Sequence, residues 1–336
     1  MRLRFVRAWL ALAPVLLLAG CSGRAPSTLD PAGPGARRVA SLWWLLFWIS
    51  AGVFAVFLVV LVWAVARRHR SGSIRRGDAT RFVVVTGAVV PFVILTGVYA
   101  VGLRDMSALR APEHPAAAAA APGTVTVEVT GHQWWWEVRY PGTAATTANE
   151  IHVPVGTPVQ VRLTTDDVLH SFWVPQLMPK TDLIAGQVNT TWITAEEPGT
   201  YRGMCAEYCG LQHRYMHFVV VAEPRAAFDA WVAHVASPAP SPDTAAEQRG
   251  MQVFLQTGCA ACHTVRGTPA DGTVGPDLTT VGDRWSLGAG AAPNNTGALG
   301  GWVANSQQVK PGNAMPPQPV PAEALPDLVA YLRSLK

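Results

Sequence analysis

Cysteine is scarce in this 336-residue chain, with five in all, at positions 21, 205, 209, 259 and 262. Four of them form two closely spaced pairs whose neighbours point to other chemistry, so no pair is left for a structural disulfide, although an oxidising compartment would permit one. Charge is thin as well: only 14% of residues are Asp, Glu, Lys or Arg. Its distribution matters more than its sum. Residues 1–111 hold 14 of the 26 basic residues and 3 of the 22 acidic ones, which leaves 12 basic against 19 acidic side chains in 112–336, a net of −7. That excludes a nucleic-acid binder and favours basic protein partners.

Long apolar runs, by contrast, are plentiful. Arg2, Arg4 and Arg7 precede an apolar stretch from Trp9 to Ala19, the pattern of a secretory signal over residues 1–20. Leu18-Ala19-Gly20-Cys21 has the form of a bacterial lipoprotein signal, so Cys21 is expected to carry lipid. Leu42–Ala66 and Phe82–Leu103 each exceed the roughly 20 residues needed to cross a bilayer. Arg67, Arg68, Arg70, Arg75, Arg76 and Arg81 lie between them. By the positive-inside rule this loop is cytoplasmic and both ends of the hairpin, assigned to 39–104, face outward. Pro91 is expected to kink the second span.

Beyond an Ala/Pro-rich linker at 105–123, the periodicity changes to two. Val125, Val127 and Val129 alternate with polar residues, as do Val159, Val161 and Leu163, with turn residues between the runs. This predicts a small all-β domain over 124–224. Its last loop reads Cys205-Ala-Glu-Tyr-Cys209-Gly-Leu-Gln-His213-Arg-Tyr-Met216. Two thiolates, an imidazole and a thioether are a ligand set that selects copper. Two thiolates can bridge two copper ions that share one electron, with His170 as the second imidazole. A zinc clip or a Cys205–Cys209 disulfide would leave Met216 and His170 unexplained.

Residues 225–242, ending in Ser-Pro-Ala-Pro-Ser-Pro, read as a second linker. The segment 243–336 opens with a helix capped at Asp243 or Thr244 and running to about Thr257. Cys259-Ala260-Ala261-Cys262-His263 follows, the attachment signature of c-type haem, with His263 as an axial ligand. Beyond His263 there is no further His, and Met315 is the one Met, so elimination gives Met315 as the other axial ligand. Pro326 implies that the closing helix starts there or bends, and Trp302 is expected either on the haem or in the core.

Gly131-His132-Gln133-Trp134-Trp135-Trp136, Asp167-Val168-Leu169-His170-Ser171 and Lys180-Thr181-Asp182, with the Cys205–Met216 loop, resemble the binuclear copper (CuA) domain of cytochrome c oxidase subunit II. Together with the hairpin and the haem segment, the chain resembles subunit II of a caa3-type haem–copper oxidase. The resemblance implies a multi-domain fold: a transmembrane two-helix hairpin, an all-β cupredoxin-like Greek-key domain and an all-α class I cytochrome c domain. It implies CuA ligation by His170, Cys205, the backbone carbonyl of Glu207, Cys209, His213 and Met216. It also implies a magnesium ion at the subunit I boundary, held in part by the Glu207 side chain, and electron entry through a surface-exposed Trp134. A strand through Trp134, Trp135 and Trp136 would put the first and third on one face, while His132, His152 and His217 are expected to be structural and Asp166, Asp167 and Asp182 to shape a surface.

On this resemblance the chain would sit in the bacterial cell membrane with both redox domains on the outer face. It would receive electrons from cytochrome c or a quinol–cytochrome c reductase. With the other subunits it would serve a proton-translocating oxidase, and oxygen would be reduced in subunit I, since this chain has no multi-His membrane site. A CuA-containing nitric oxide reductase uses a similar subunit, and a copper-carrying lipoprotein is a further alternative. Nitrous oxide reductase carries such a copper domain behind a large catalytic domain that this sequence does not show.

Overall fold

A computed structural model describes residues 26–67, 76–110 and 124–336. The expected signal 1–20, Cys21 and most of the linker 105–123 lie outside the described residues. Helix α1 (Pro34–Arg67) begins ahead of the expected boundary, because Pro34 supplies a helical φ at the first position. After it come α2 (Arg76–Val84), a π turn (Val85–Val89) and α3 (Val90–Arg110). Pro91 lacks the N–H that would bond one turn back, and the π turn lies just ahead of it. Both helical stretches are long and apolar enough to cross a membrane, and their apolar windows are unburied within the chain.

The first turn of α1 is fastened to the β domain. Ala32 N donates to Gln176 O at 2.7 Å and Ala36 N to Leu177 O at 3.1 Å, while Arg37 pairs with Glu196. This ties the hairpin to the domain that carries the ligand loop.

Ten strands follow: β1 (Thr126–His132), β2 (Trp135–Arg139), β3 (Thr146–Ala148), β4 (Glu150–Pro154), β5 (Val159–Thr165), β6 (His170–Trp173), β7 (Thr181–Leu183), β8 (Asn189–Ile193), β9 (Gly199–Cys205) and β10 (His217–Glu223). They form two five-stranded sheets, β3-β2-β1-β5-β8 and β4-β10-β9-β6-β7. The alternating valines of β1 and β5 face inward, as their period of two requires. Trp136, Phe172 and Phe218 fill the middle, with Phe172 and Phe218 stacked at 4.4 Å. Gly203 makes room for them: a Cβ there would collide with the Phe218 ring.

The linker expected at 225–242 is helical over its first two thirds, α4 (Arg225–Ala236). Phe228 and Val235 are buried in the β-domain core, and Trp231 stacks on His152 at 3.7 Å. The apolar spacing of this stretch wins over its position between domains.

The last domain has its own core. Helix α5 (Ala245–Gln256) starts at a Thr244–Glu247 capping box. Later come α6 (Thr296–Ala304), α7 (Ser306–Val309) and α8 (Leu325–Ser334), the last with Pro326 in its first turn, where proline is tolerated. Helices α5 and α8 cross at Gly250, where a Cβ would strike the Asp327 backbone. The two-strand ladder β11 (Ser286–Leu287) and β12 (Ala292–Pro293) completes this unit.

Candidate metal centre and haem cavity

Strand β6 runs antiparallel to β9, with Phe172 opposite Cys205. The start of β6 therefore faces the end of β9, and His170 meets Cys205 although 35 residues separate them. The loop from Cys205 to Met216 closes on itself through Cys205 N to Met216 O at 3.0 Å, and onto β6 through Ala206 N to Ser171 O at 2.9 Å.

The expected ligands converge. Cys205 Sγ lies 3.8 Å from Cys209 Sγ and 3.9 Å from His170 Nδ1. Cys209 Sγ is 3.6 Å from His213 Nδ1 and 3.7 Å from Met216 Sδ. The Glu207 carbonyl oxygen is 3.1 Å from Cys205 Sγ. His170, Cys205, Cys209 and Met216 are all buried. The Cys209 thiol and His170 hold Cys205 far below the usual thiol range, at about 3, while Cys205 and burial push Cys209 up. The pair shares a proton that a metal would replace. Burial opposes a charge on His170, but Cys205 and Asp167 raise its pKa on balance.

Asp167, expected only to shape a surface, is part of this site. His170 Nε2 donates to Asp167 Oδ1 at 2.8 Å, which aims Nδ1 at the thiols. The same carboxylate accepts from Gln133 N at 2.6 Å. Burial opposes its ionisation, yet these donors bring its pKa down. Gly131 lies against the His170 ring, where a Cβ would come within 2.9 Å of Cδ2. The Glu207 carboxylate turns away from the sulfurs to Lys180 Nζ at 3.1 Å; Lys180 also bonds Asp182, which accepts from Ser171 Oγ at 2.7 Å.

Trp134 departs from expectation in two ways. It stands in the β1–β2 turn rather than on a strand, and it is 8% exposed rather than a surface ring. Its indole Nε1 donates to Cys209 O at 2.9 Å, and Gln133 Nε2 donates to the same oxygen at 2.8 Å. The ring lies between Gly210 of the ligand loop and Gly312 of the last domain.

There a cavity is walled by Cys259, Cys262, His263, Met315, Trp302 and, from the β domain, Trp134. His263 Nδ1 donates to Pro276 O at 2.8 Å, which leaves Nε2 for a metal, and burial keeps this ring's pKa low. Arg284, also on the cavity wall, is buried, and its Nε has no partner among the described residues. A cation held against an apolar space fits a flat apolar ligand that carries carboxylates, as haem does.

A ligand loop on a β-sandwich, an anchoring pair of apolar helices and a C-x-x-C-H cavity define a class: a membrane-anchored cupredoxin-like domain joined to a cytochrome c-like domain. Sequence comparison agrees. Residues 143–223 match the family described as cytochrome c oxidase subunit II, periplasmic domain, and residues 247–336 match cytochrome c. Cytochrome c oxidase subunit 2 of Alkalihalophilus pseudofirmus is 36% identical over 328 residues, covering 96% of this chain and 94% of that protein. The Bacillus subtilis protein of the same name is 30% identical, covering 91% of this chain and 90% of its own length. The solved periplasmic domain of subunit II from Bradyrhizobium japonicum is 30% identical, with a TM-score of 0.32, over 34% of this chain and 95% of that domain. The chain belongs to the cytochrome c oxidase subunit II family, in the caa3-type form with a fused cytochrome c domain. It is thus a component of haem–copper oxidoreductases, whose copper domain implies CuA and whose cytochrome domain implies haem.

Proposed function

We propose that this subunit carries single electrons from cytochrome c, or from a quinol–cytochrome c reductase, through its own haem c and a binuclear CuA centre to subunit I, where oxygen is reduced to water. The observation that carries the reading is the convergence of His170, Cys205, Cys209, His213 and Met216 beside a tryptophan that also walls the haem cavity. When bound, the two groups supply the electron-accepting orbitals. The protein supplies the rest.

Cys205 and Cys209 are close enough to bridge two ions. His170 Nδ1 lies beside Cys205 and His213 Nδ1 beside Cys209, and Met216 and the Glu207 carbonyl would complete the set. Asp167 fixes the His170 ring, and such outer partners commonly tune metal affinity 10–100-fold. In the other domain Cys259 and Cys262 would hold haem covalently, with His263 and Met315 as axial ligands. Trp134 joins the two sites, touching the cavity with its ring and Cys209 with its N–H.

The domain limits 124–224 and 243–336 follow from this assignment, with α4 as an outer strap of the copper domain. A magnesium ion on the Glu207 carboxylate at the subunit I boundary would have to displace Lys180. Two spans with an arginine-rich loop between them support placing both redox domains on the outer face of the bacterial cell membrane, with lipid on Cys21. Both full-length relatives named above are cytochrome c oxidase subunits, which favours oxygen over nitric oxide as terminal acceptor.

The test is metal content and electron-spin signal in the purified chain. Two coppers per polypeptide with a shared-valence signal are expected, lost in Cys205→Ser and in Cys209→Ser while haem absorption stays. One copper, or zinc, would overturn the reading.

A further inference from the structure

Lys310 is 2% exposed, which is unusual for an ammonium. Its Nζ donates to Trp134 O at 2.6 Å, Tyr215 O at 2.6 Å and Gly288 O at 2.7 Å. Burial pulls its pKa down to about 7, and in the protonated form three protons meet three acceptors. Two of those acceptors belong to the copper domain and the third to the cytochrome domain.

The partners are informative. Trp134 is the ring bonded to Cys209 O. Tyr215 immediately precedes Met216. Lys310 itself caps α7 and stands five residues ahead of Met315, so one cation reaches from the haem-side methionine loop to the end of the copper loop at Tyr215 and to the β1–β2 turn at Trp134. Further bonds flank it: Gln212 Nε2 donates to Pro311 O at 2.6 Å, His217 N to Ala289 O at 3.0 Å, and Trp285 N to Glu150 Oε2 at 3.2 Å. Gly312 packs on Leu211, where a Cβ would come within 3.0 Å of its Cδ2.

We infer that Lys310 is a positioning residue for electron transfer within the chain: it fastens the cytochrome domain to the copper domain in the one orientation that sets the haem cavity against Trp134. This rests on the electron-transfer reading above and deepens it. The tethered cytochrome is then a docked donor rather than a mobile one. The step it positions moves one electron from the reduced haem to the oxidised copper pair, with no bond made or broken and no proton required. Electron tunnelling falls steeply with separation, so a loosened dock slows transfer even when both centres are intact. The three carbonyls explain why Lys is suited to the site: Arg carries its donors in a rigid plane, and an apolar side chain leaves the acceptors buried and unpaired.

Two readouts on the full chain, loaded with copper and haem, test the inference. In the first, the haem is photoreduced and its reoxidation by the copper centre is timed. Lys310→Met is expected to slow that step at least tenfold, with both absorption spectra and both potentials unchanged, and Lys310→Arg is expected to restore little of the rate. In the second, a protease site is placed in the exposed linker at Ser241. After cleavage the wild-type cytochrome domain is expected to stay bound on gel filtration, and the Lys310→Met domain to separate. An unchanged rate in Lys310→Met, a slowing matched by a shifted potential, or retention of the cleaved Lys310→Met domain would each overturn the assignment. Absence of haem-to-copper transfer in the wild-type chain would instead refute the proposed function, and the cleavage result would still report on the dock.

Discussion

The two cysteine pairs of this chain live in opposite surroundings. Cys205 and Cys209 are buried, 3.8 Å apart, in a loop that closes on itself through Cys205 N to Met216 O. Cys259 and Cys262 are half-buried and face a cavity. The copper domain has a filled core of Trp136, Phe172, Phe218 and the inward valines, and its metal would occupy a small gap among ligands already in place. The cytochrome domain wraps helices α5, α6 and α8 around a space lined by Phe254, Leu299, Val303 and Leu328, and a large apolar ligand would pack directly on this core. One site is a finished fold that accepts ions. The other is a fold whose core includes its cofactor.

The largest expected consequence concerns the second kind of site. Replacing both Cys259 and Cys262 by Ala removes both covalent links and should abolish haem staining on a denaturing gel. The cytochrome domain, left with an unfilled cavity, should become protease-sensitive, while copper content in the same preparation stays at the wild-type level. If the cytochrome domain stayed equally protected without haem, the contrast between the two domains would be wrong.

Copper binding gives a smaller, sharper comparison. Asp167→Asn keeps the shape of the side chain but removes the charge that orients His170. Copper affinity is expected to drop about 10–100-fold, as for other outer partners of metal-bound histidine, and the haem absorption to stay as it was. Competition with a chelator of known affinity measures this. Unchanged affinity would mean that the β6 backbone alone aims the ring.

These two residues also show what the sequence displayed and what it hid. The proposed copper ligands could be picked out because five of the six come from one loop, where spacing substitutes for geometry. His263 and Met315 were singled out through the C-x-x-C-H pattern and the lack of competitors, and both line the cavity. Asp167 stood three residues before His170 in plain view, but nothing in its type separates an orienting carboxylate from a surface one. The strand register that turns it toward Nε2 is a tertiary fact. Trp134 was expected to be exposed because the copper domain was considered by itself, whereas the copper loop at Gly210 and the cytochrome-domain loop at Gly312 both lie against its ring. Lys310 gave no local signal, since its three acceptors come from residues 134, 215 and 288. Helix α4 was misjudged for another reason: its Phe228, Trp231, Val232 and Val235 have helical spacing, but the Pro-rich tail after it suggested a linker throughout.

The smallest effect probes whether the domains melt separately. Thr244 caps α5: its Oγ1 accepts from Glu247 N at 3.2 Å, and Glu247 Oε2 accepts from Thr244 N at 3.1 Å and Asp243 N at 2.8 Å. Thr244→Ala removes one half of this reciprocal pair and should cost about 1 kcal/mol. For a domain of this size that corresponds to a midpoint lowered by about 4–8 °C. The buried cores of the two domains share no residue, and the dock between them is a handful of hydrogen bonds. The loss should therefore fall on the haem-reported transition, followed in the Soret band, and leave the copper-domain transition in place. A cap at the far end of α5 lies remote from Lys310, so its removal does not loosen the dock directly. If both transitions moved together by the same amount, the bonds around Lys310 would couple the two units into one cooperative fold, and the distinction between a finished site and a cofactor-completed one would hold for the parts but not for the whole.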